Sequence, residues 1–197
     1  MARAIGTKRA ILDATLELAA TKGISGTTMD EVAERAGVAK GSLYYNFSSK
    51  DRLFEELLQE GVGALADTLR AASAGLHGRA ALEALVRALL DGIAANTALS
   101  KLMAAEIFRT DRTWQKTLFA LRHEALAVFA DAIAEAKPGS RADGTCGLMA
   151  SSVFGAVLMS GLEWLVFEPE RPRDEVAAAI VGSLSGGLFG EVRPASR

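Results

Sequence analysis

The fold is decided by residues 28–50, which read TMDEVAERAGVAKGSLYYNFSSK. Thr28 lies three residues before Glu31, and this spacing predicts a capping box, in which the two side chains satisfy backbone N–H groups at the start of a helix. Apolar residues at helical spacing extend that helix over residues 29–36. Gly37 is expected to end it, because glycine accepts the left-handed conformation that a helix C-terminus often needs.

A second, shorter helix is expected over residues 40–47, anchored inward by Leu43 and Phe47. The remaining side chains then face outward or sideways, and they are Lys40, Gly41, Ser42, Tyr44, Tyr45 and Asn46. Ammonium, hydroxyl and amide groups bind phosphates and base edges, and a glycine removes bulk where a backbone meets DNA. The stretch therefore predicts a helix-turn-helix that presents its second helix to DNA. A generic helical hairpin with a solvated polar face is the alternative.

The same stretch resembles the TetR (tetracycline-repressor) family of bacterial transcription regulators. The matching elements are the helix Lys8–Thr21, the turn of Gly23, Thr27 and Thr28, the residues Val32-Ala33 and Ala36-Gly37-Val38, and the run from Gly41 to Phe47 followed by Lys50. The resemblance implies that operator DNA is contacted by Thr28, Lys40, Ser42, Tyr44, Tyr45, Asn46 and Lys50. It covers only the N-terminal part of the chain, but its motifs are specific.

Two positions depart from the family's pattern. Asn46 stands where the family often has histidine, so a phosphate contact survives without a histidine-like charge. Ala39 stands where the family often has serine or threonine, and an alanine N-cap costs about 1 kcal/mol of helix stability. The second helix is therefore expected to be frayed until DNA or tertiary packing holds it.

The rest of the chain is expected to be all-α, because it has only four prolines and lacks strand-like alternation. About nine helices are expected in two domains. The first is a TetR-type, three-helix DNA-binding domain over residues 1–50, with the helix-turn-helix at 28–47. The second is a helical ligand-binding and dimerisation domain over residues 51–197.

Two helices frame the DNA-binding motif. Thr7 is expected to open the first helix of the chain, and Gly23 to stop it. A further helix is expected from Lys50 through Leu69, where it would join the two domains. Its glycines, Gly61 and Gly63, weaken it by roughly 1 kcal/mol each relative to alanine and make it a candidate flex point.

The charge distribution suits a DNA-binding N-terminus. The whole chain has a net charge of −2, but residues 1–50 have seven Lys or Arg against five Asp or Glu, whereas residues 51–197 have fifteen against nineteen. The basic excess is modest, so affinity is expected to depend on dimerisation and specific contacts more than on bulk charge. The single cysteine excludes an intramolecular disulfide, and with no apolar core near the N-terminus it favours a cytoplasmic protein.

One apolar segment is almost long enough to span a membrane. Residues 144–162 contain no charged side chain and approach spanning length. They also contain four glycines and three serines, and Glu163 follows them without a basic cluster. We interpret the segment as a buried helix of a soluble protein and expect no membrane partner.

Small residues are frequent in the last two helices. They are Gly147, Ala150, Ser151, Gly155 and Ala156 in one, and Ala177, Ala178, Gly182, Ser183, Ser185, Gly186 and Gly187 in the other. Small residues allow close helix packing, and a two-fold partner is the simplest way to cover so many of them. The resemblance likewise implies a homodimer formed through the last two helices. Tight packing within one subunit is the alternative.

Side chains that could support enzymatic chemistry are scarce. His77 and His123 lack metal-ligating companions at useful spacing, and one cysteine cannot make a zinc site. Cys146 lies on an apolar helix and is interpreted as a small core residue. We expect no catalytic residue, no metal and no cofactor.

The central helices contain large side chains that usually form a core. In the TetR family the equivalent region often holds an apolar ligand cavity, and the resemblance implies that some of these side chains line one. The candidates are Met103, Phe108, Trp114, Phe119, His123, Phe154 and Trp164. The leading hypothesis is a dimeric repressor that binds a palindromic double-stranded operator and is released by a small apolar inducer of unknown identity. The alternatives are an inducer-independent or architectural DNA binder and, with little support, a small helical enzyme or chaperone.

Overall fold

The computed structural model describes residues 2–106, 109, 113–137, 139–142 and 144–189, and within them it contains ten helices and no strand. The helices are α1 Ala2–Gly26, α2 Met29–Arg35, α3 Lys40–Asn46, α4 Lys50–Val62, α5 Leu65–Ser73, α6 Gly78–Ala95, α7 Thr97–Glu106, α8 Gln115–Ala136, α9 Cys146–Phe167 and α10 Arg173–Phe189. The all-α fold class predicted from the sequence is confirmed.

The first helix is longer than predicted. It begins at Ala2, before the expected start at Thr7. Gly23 has φ 71° and ψ 166°, so the predicted stop is present as a break, after which helical structure resumes to Gly26. The break redirects the chain so that Ile24 is buried in the core.

The single helix predicted over residues 50–69 is wrong, because the structure has two helices there. α4 ends at Val62 and α5 begins at Leu65. Gly63 caps α4, with its N–H donating to the carbonyl of Gln59 at 2.9 Å. Glycines disfavour a continuous helix, and two of them in three residues are enough to interrupt it here.

The chain forms two compact units. Unit 1 comprises Met1–Ala64 and Ala98–Leu121, and unit 2 comprises Leu65–Thr97 and Arg122–Arg197. By packing, α4 and α7 therefore belong with the N-terminal helices. The predicted division of function at residue 50 stays a prediction.

Unit 1 has an apolar core that fixes the helix-turn-helix from behind. Its buried side chains come from α1, α2, α3, α4 and α7, together with the start of α8. The Phe54 and Trp114 rings lie 5.6 Å apart between centroids. Thr15, the buried polar residue on α1, donates its hydroxyl to the carbonyl of Ile11 at 2.7 Å, so burial leaves its donor satisfied.

Unit 2 has its own core, built from α5, α6, α8, α9 and α10. Phe129 and Phe154 pack edge to face, with ring centroids 6.1 Å apart. α9 passes close to α6 at Gly161, where an added Cβ would lie 3.0 Å from a Leu90 methyl. Cys146 is buried and unbridged, as expected for a core residue, and its Sγ donates to the carbonyl of Ala130 at 2.8 Å.

α9 does not fit the expectation of a buried helix. Among the described residues it is the one helix that is long and apolar enough, by length and composition, to cross a membrane. Of the residues in its most apolar stretch, 28% are buried inside the chain. Leu148, Met159 and Phe167 are among its exposed apolar side chains. A single copy of the chain therefore leaves one face of this helix exposed.

Candidate nucleic-acid interface

The capping box predicted at the start of α2 is confirmed. The Glu31 N–H donates to Thr28 Oγ1 at 3.2 Å, and the Thr28 N–H donates to Glu31 Oε2 at 3.0 Å. The Thr28 hydroxyl also donates to the same carboxylate at 3.0 Å. Both donors of Thr28 are therefore occupied within the protein, although its side chain is exposed.

Glu31 is the centre of a charged network at this helix start. Lys22 Nζ lies 2.5 Å from its Oε1. The hydrogen bond from Lys22, with those from Thr28, lowers the pKa of Glu31 to about 2. The lowered pKa keeps the carboxylate ionised in mildly acidic solution as well as at neutral pH. The charged group stabilises the N-terminus of α2 through the helix dipole, and its contact with Lys22 links α2 to α1.

The turn between α2 and α3 has the predicted geometry. Gly37 has φ 64°, the left-handed conformation that favours glycine. The Val38 N–H donates to the carbonyl of Ala33 at 3.0 Å, and Val38 packs partly buried against the unit 1 core. These contacts fix the direction in which α3 leaves the turn.

α3 presents one face inward and one outward. Leu43 and Phe47 are buried, as predicted. Tyr44 is 50% exposed and Tyr45 is 90% exposed. A Cβ built on Gly41 meets no atom within 4 Å, so packing inside the chain does not require glycine there.

The N-terminus of α3 lacks a side-chain cap. Ala39 occupies the N-cap position with no side-chain hydrogen bond, as the sequence indicates. The cost of that alanine is about 1 kcal/mol. The helix is nevertheless formed in the structure, since buried Leu43 holds it on the core.

Lys40 lies in the first turn of α3 and pairs with an acidic residue of α2. Its Nζ is 2.7 Å from Asp30 Oδ2. The hydrogen bond to Asp30 raises the pKa of Lys40 above its ordinary value. Both side chains are mostly exposed, so the pair lies on the surface rather than in the core.

Two further predicted DNA contacts also have internal partners. Asn46 Nδ2 donates to the carbonyl of Ser42 at 2.8 Å, which leaves one of its two amide hydrogens for another acceptor. Lys50 Nζ donates to the carbonyl of Ser25 at 3.2 Å and so links the start of α4 to the end of α1. Seven of the eight predicted residues thus lie in the helix-turn-helix and Lys50 lies at the start of α4, and the side chains of four of the eight already make hydrogen bonds inside the protein.

Sequence reasoning missed Asp30 as the partner of Lys40. The available signal was an acidic residue in the first turn of α2 and a lysine at the first position of α3. Whether those two positions meet depends on the angle between the helices, which the sequence pattern does not define.

The predicted ligand-lining residues are divided between two cores. Met103 and Trp114 are buried in the core of unit 1, whereas Phe154 and Trp164 belong to the core cluster of unit 2. Phe119 and His123 are exposed, and Phe108 lies outside the described residues. The structure therefore groups these candidates as two pairs rather than as one set.

No group of three or more His, Cys, Asp or Glu that could hold a metal occurs in the described part of the chain. His77 Nδ1 lies 3.1 Å from Glu135 Oε2 on the surface of unit 2.

Comparison with known proteins identifies the N-terminal part of the chain. Residues 11–57 match the family described as bacterial regulatory proteins, tetR family. The HTH-type transcriptional repressor KstR2 of Rhodococcus jostii is 36% identical over 92 residues, which are 46% of this chain and 45% of that protein. The matched segment thus spans less than half the length of that curated relative.

Solved structures resemble the chain over nearly its whole length. A Clostridium perfringens protein, provisionally named as a fatty acid metabolism regulator, is 26% identical with a TM-score of 0.76, covering 93% of this chain and 98% of that one. FadR of Bacillus subtilis, solved in complex with stearoyl-CoA, is 16% identical with a TM-score of 0.74, covering 92% and 98%. At the latter identity the likeness shows the fold alone.

Proposed function

We propose that the chain is a transcriptional repressor of the TetR family, whose model matches residues 11–57. It binds a palindromic DNA operator as a dimer in the cytoplasm and releases it on binding a small apolar ligand. The observation that carries the proposal is the exposed face of α3, where Gly41, Tyr44 and Tyr45 project from a helix that Leu43 and Phe47 hold to the core.

The proposed DNA-contacting residues differ in the contacts that their side chains already make in the free protein. Tyr44 and Tyr45 are exposed and meet DNA without losing a buried contact. Ser42, Asn46, Lys40 and Lys50 supply the other contacts proposed from α3 and the start of α4. Thr28 holds α2 in place through its capping box, and any phosphate contact at that point requires an exchange of its hydrogen bonds.

The apolar surface of α9 supports a homodimer formed through α9 and α10. Leu148, Ser152, Gly155, Met159 and Val166 follow helical spacing and form one mostly apolar stripe, which the exposed Glu163 interrupts near its C-terminal end. Leu148 is 73% exposed and Met159 is 62% exposed. A Cβ on Gly155 meets nothing within the chain. Large exposed apolar patches mark interaction sites, and a second copy would cover this one as the family's dimers do.

The dimer is tested by light scattering coupled to gel filtration. Met159→Glu places a charge in the centre of the stripe, and the variant is expected to elute as a monomer. Leu76→Glu is the matched control, because Leu76 is an exposed leucine outside α9 and α10. A Met159→Glu protein that remains dimeric contradicts the proposed interface.

The proposed ligand is an apolar molecule with an acyl chain. Its class is suggested by the provisional name of the Clostridium perfringens protein, which is similar to this chain over almost its full length. Coupling between two sites is reciprocal, so ligand must weaken operator binding by the factor by which operator weakens ligand binding. Titration of free fatty acids and acyl-CoA esters of graded length against an operator complex measures that factor.

The two tryptophans allow ligand binding to be localised. Trp114 is buried in unit 1 beside Phe54, and Trp164 belongs to unit 2, where its Nε1 donates to the carbonyl of Arg171 at 2.9 Å. Trp114→Phe and Trp164→Phe proteins each retain one emitting side chain. The variant whose fluorescence still responds to ligand identifies the unit that binds it.

An inducer-independent regulator is the second candidate. The observation in its favour is the separation of Met103 and Trp114 from Phe154 and Trp164 into two packed cores. Operator binding that no acyl compound weakens would favour this candidate. A protein that binds random and selected duplexes equally would instead be an architectural DNA binder, and the repressor proposal would fail.

The central test is selection of an operator from a random duplex library by the intact protein. Enrichment of a palindrome is expected, because a two-fold dimer presents two α3 helices to successive major grooves. Tyr44→Ala is expected to weaken binding to the selected site. Wild-type affinity in that variant would overturn the assignment of α3 as the recognition helix.

A further inference from the structure

The segment from Thr28 to Lys50, which contains the helix-turn-helix and the first residue of α4, has no net charge. Residues 28–50 contain three acidic and three basic side chains. Arg35 pairs with Glu17 of α1 at 2.6 Å, and Lys40 pairs with Asp30 at 2.7 Å. Since sequence-independent binding to DNA depends on cations that neutralise phosphates, this surface offers little general attraction for a phosphate backbone.

Asp30 and Lys40 bridge the two helices of the motif. Asp30 lies in the first turn of α2, and Lys40 is the first residue of α3. The side chain of Lys40 is 66% exposed and that of Asp30 is 60% exposed, so DNA can reach both. The ammonium has three donors, and the hydrogen bond to Asp30 uses one of them.

We propose that Asp30 is a specificity-determining residue of the DNA-binding surface, which neutralises Lys40 and holds its ammonium beside the first turn of α3. This inference rests on the proposed DNA-binding function. A phosphate that approaches Lys40 is repelled by the neighbouring carboxylate. A neutral base-edge acceptor such as guanine O6 or N7 is not. Asp30 therefore weakens binding to arbitrary DNA more than binding to the operator.

Asp30 also has a structural role that must be separated from this one. An acidic residue in the first turn of a helix stabilises it through the helix dipole. That role does not require Lys40. A double-mutant cycle between the two positions therefore distinguishes the roles, because an effect that acts through Lys40 disappears when Lys40 is replaced.

The experiment measures the affinity of the full chain for two duplexes of equal length. One is the operator selected in vitro by the wild-type protein, and the other has a random sequence. The variants are Asp30→Asn, Lys40→Met and the double mutant. The matched control is Asp67→Asn, which removes an exposed acidic partner from Arg70 in unit 2, where the two side chains lie 2.6 Å apart.

Asp30→Asn is expected to bind the random duplex about two- to fivefold more tightly, the range that corresponds to an exposed ion pair. Its affinity for the operator should increase by a smaller factor. On the random duplex, its log affinity should fall more steeply with log salt, by about 0.9 for each half-site. The ratio of operator to random affinity therefore falls. Asp67→Asn should leave this ratio unchanged, and in the Lys40→Met background Asp30→Asn should leave it unchanged too.

Two results overturn the inference alone. One is an Asp30→Asn protein that selects an operator but keeps the wild-type ratio and salt slope. The other is the same loss of ratio in the Lys40→Met background, which would show that Asp30 does not act through Lys40. A wild-type protein that selects no sequence overturns the proposed function and this inference with it, so the two failures are distinguishable. Urea denaturation of each variant confirms that α2 remains folded.

Discussion

The variant Gly41→Ala tests whether glycine at this position is required for the stability of the fold or for DNA binding. Gly41 is the second residue of α3, and a Cβ at this position meets no atom within 4 Å. Alanine is favoured over glycine in a helix interior by about 0.8–1.0 kcal/mol. Because a residue in the first turn fixes fewer intrahelical hydrogen bonds, we expect about half of this, so the variant should be more stable than wild type by about 0.5 kcal/mol.

Binding to the operator should change in the opposite direction. If the backbone of α3 approaches DNA closely at Gly41, the added methyl group separates two packed surfaces. Overpacking a close contact costs about 1–3 kcal/mol, and each half-site of a dimer bears that cost. The two half-sites together lose at least about 2 kcal/mol, so operator affinity should fall by at least about thirtyfold, since 1.4 kcal/mol corresponds to a factor of ten.

The assays are urea denaturation followed by circular dichroism, and fluorescence anisotropy with the selected operator. Gly92→Ala is the control, because Gly92 lies inside α6 of unit 2 and its Cβ would also meet nothing. It should stabilise the protein without weakening DNA binding. A Gly41→Ala protein with wild-type affinity would refute the close approach of DNA, and one with reduced stability would refute the open packing at this position.

Three further predictions concern stability. Thr28→Ala should lower the free energy of unfolding by about 1 kcal/mol through loss of the capping box, whereas Thr28→Ser should retain most of it in urea denaturation. The pKa of Glu31 is lowered to about 2, so its contribution to stability is complete above its ordinary pKa and is lost as the pH falls through 4.5 toward 2; Glu31→Gln should depend less on pH in that range, and a wild-type slope would contradict the network. Gly161→Val should destabilise unit 2 by about 1–3 kcal/mol through overpacking, because the added side chain would meet Leu90 and Ile93. An unchanged thermal unfolding temperature would show that the side chains of α6 can move aside at this point.

The helix-turn-helix could be predicted because its signals are local. A capping box is defined by two residues three positions apart, and the turn at Gly37 depends on the conformational freedom of one residue. Leu43 on α3 and Phe47 at its C-cap are buried because they are apolar side chains four residues apart. In each case the deciding interaction lies within a few residues along the chain, where sequence spacing fixes distance.

The features that the sequence did not predict depend on how distant parts of the chain pack together. The pairing of Lys40 with Asp30, and the hydrogen bond of Lys50 to the carbonyl of Ser25, are set by how separate helices pack. The ligand candidates Met103 and Phe154 both looked like core residues, but their assignment to different cores depends on which helices pack together. The break at Gly63 was signalled by glycine, yet glycine alone does not decide between a weak helix and an interrupted one.

The absence of net charge in residues 28–50 also gives a reason why this protein would need the apolar stripe of α9. A single copy of this segment gains little from phosphate attraction, so its affinity must come from specific contacts by α3, whose outward face is short. Joining two motifs makes the second contact intramolecular and raises its effective concentration without any new contact to DNA. The free energy that holds two copies together would come from burying the side chains of the stripe, among them Leu148 and Met159. On the proposed function, tight binding and sequence selectivity would have separate origins, since unit 2 would supply the pairing of copies and the α2–α3 surface would supply the discrimination.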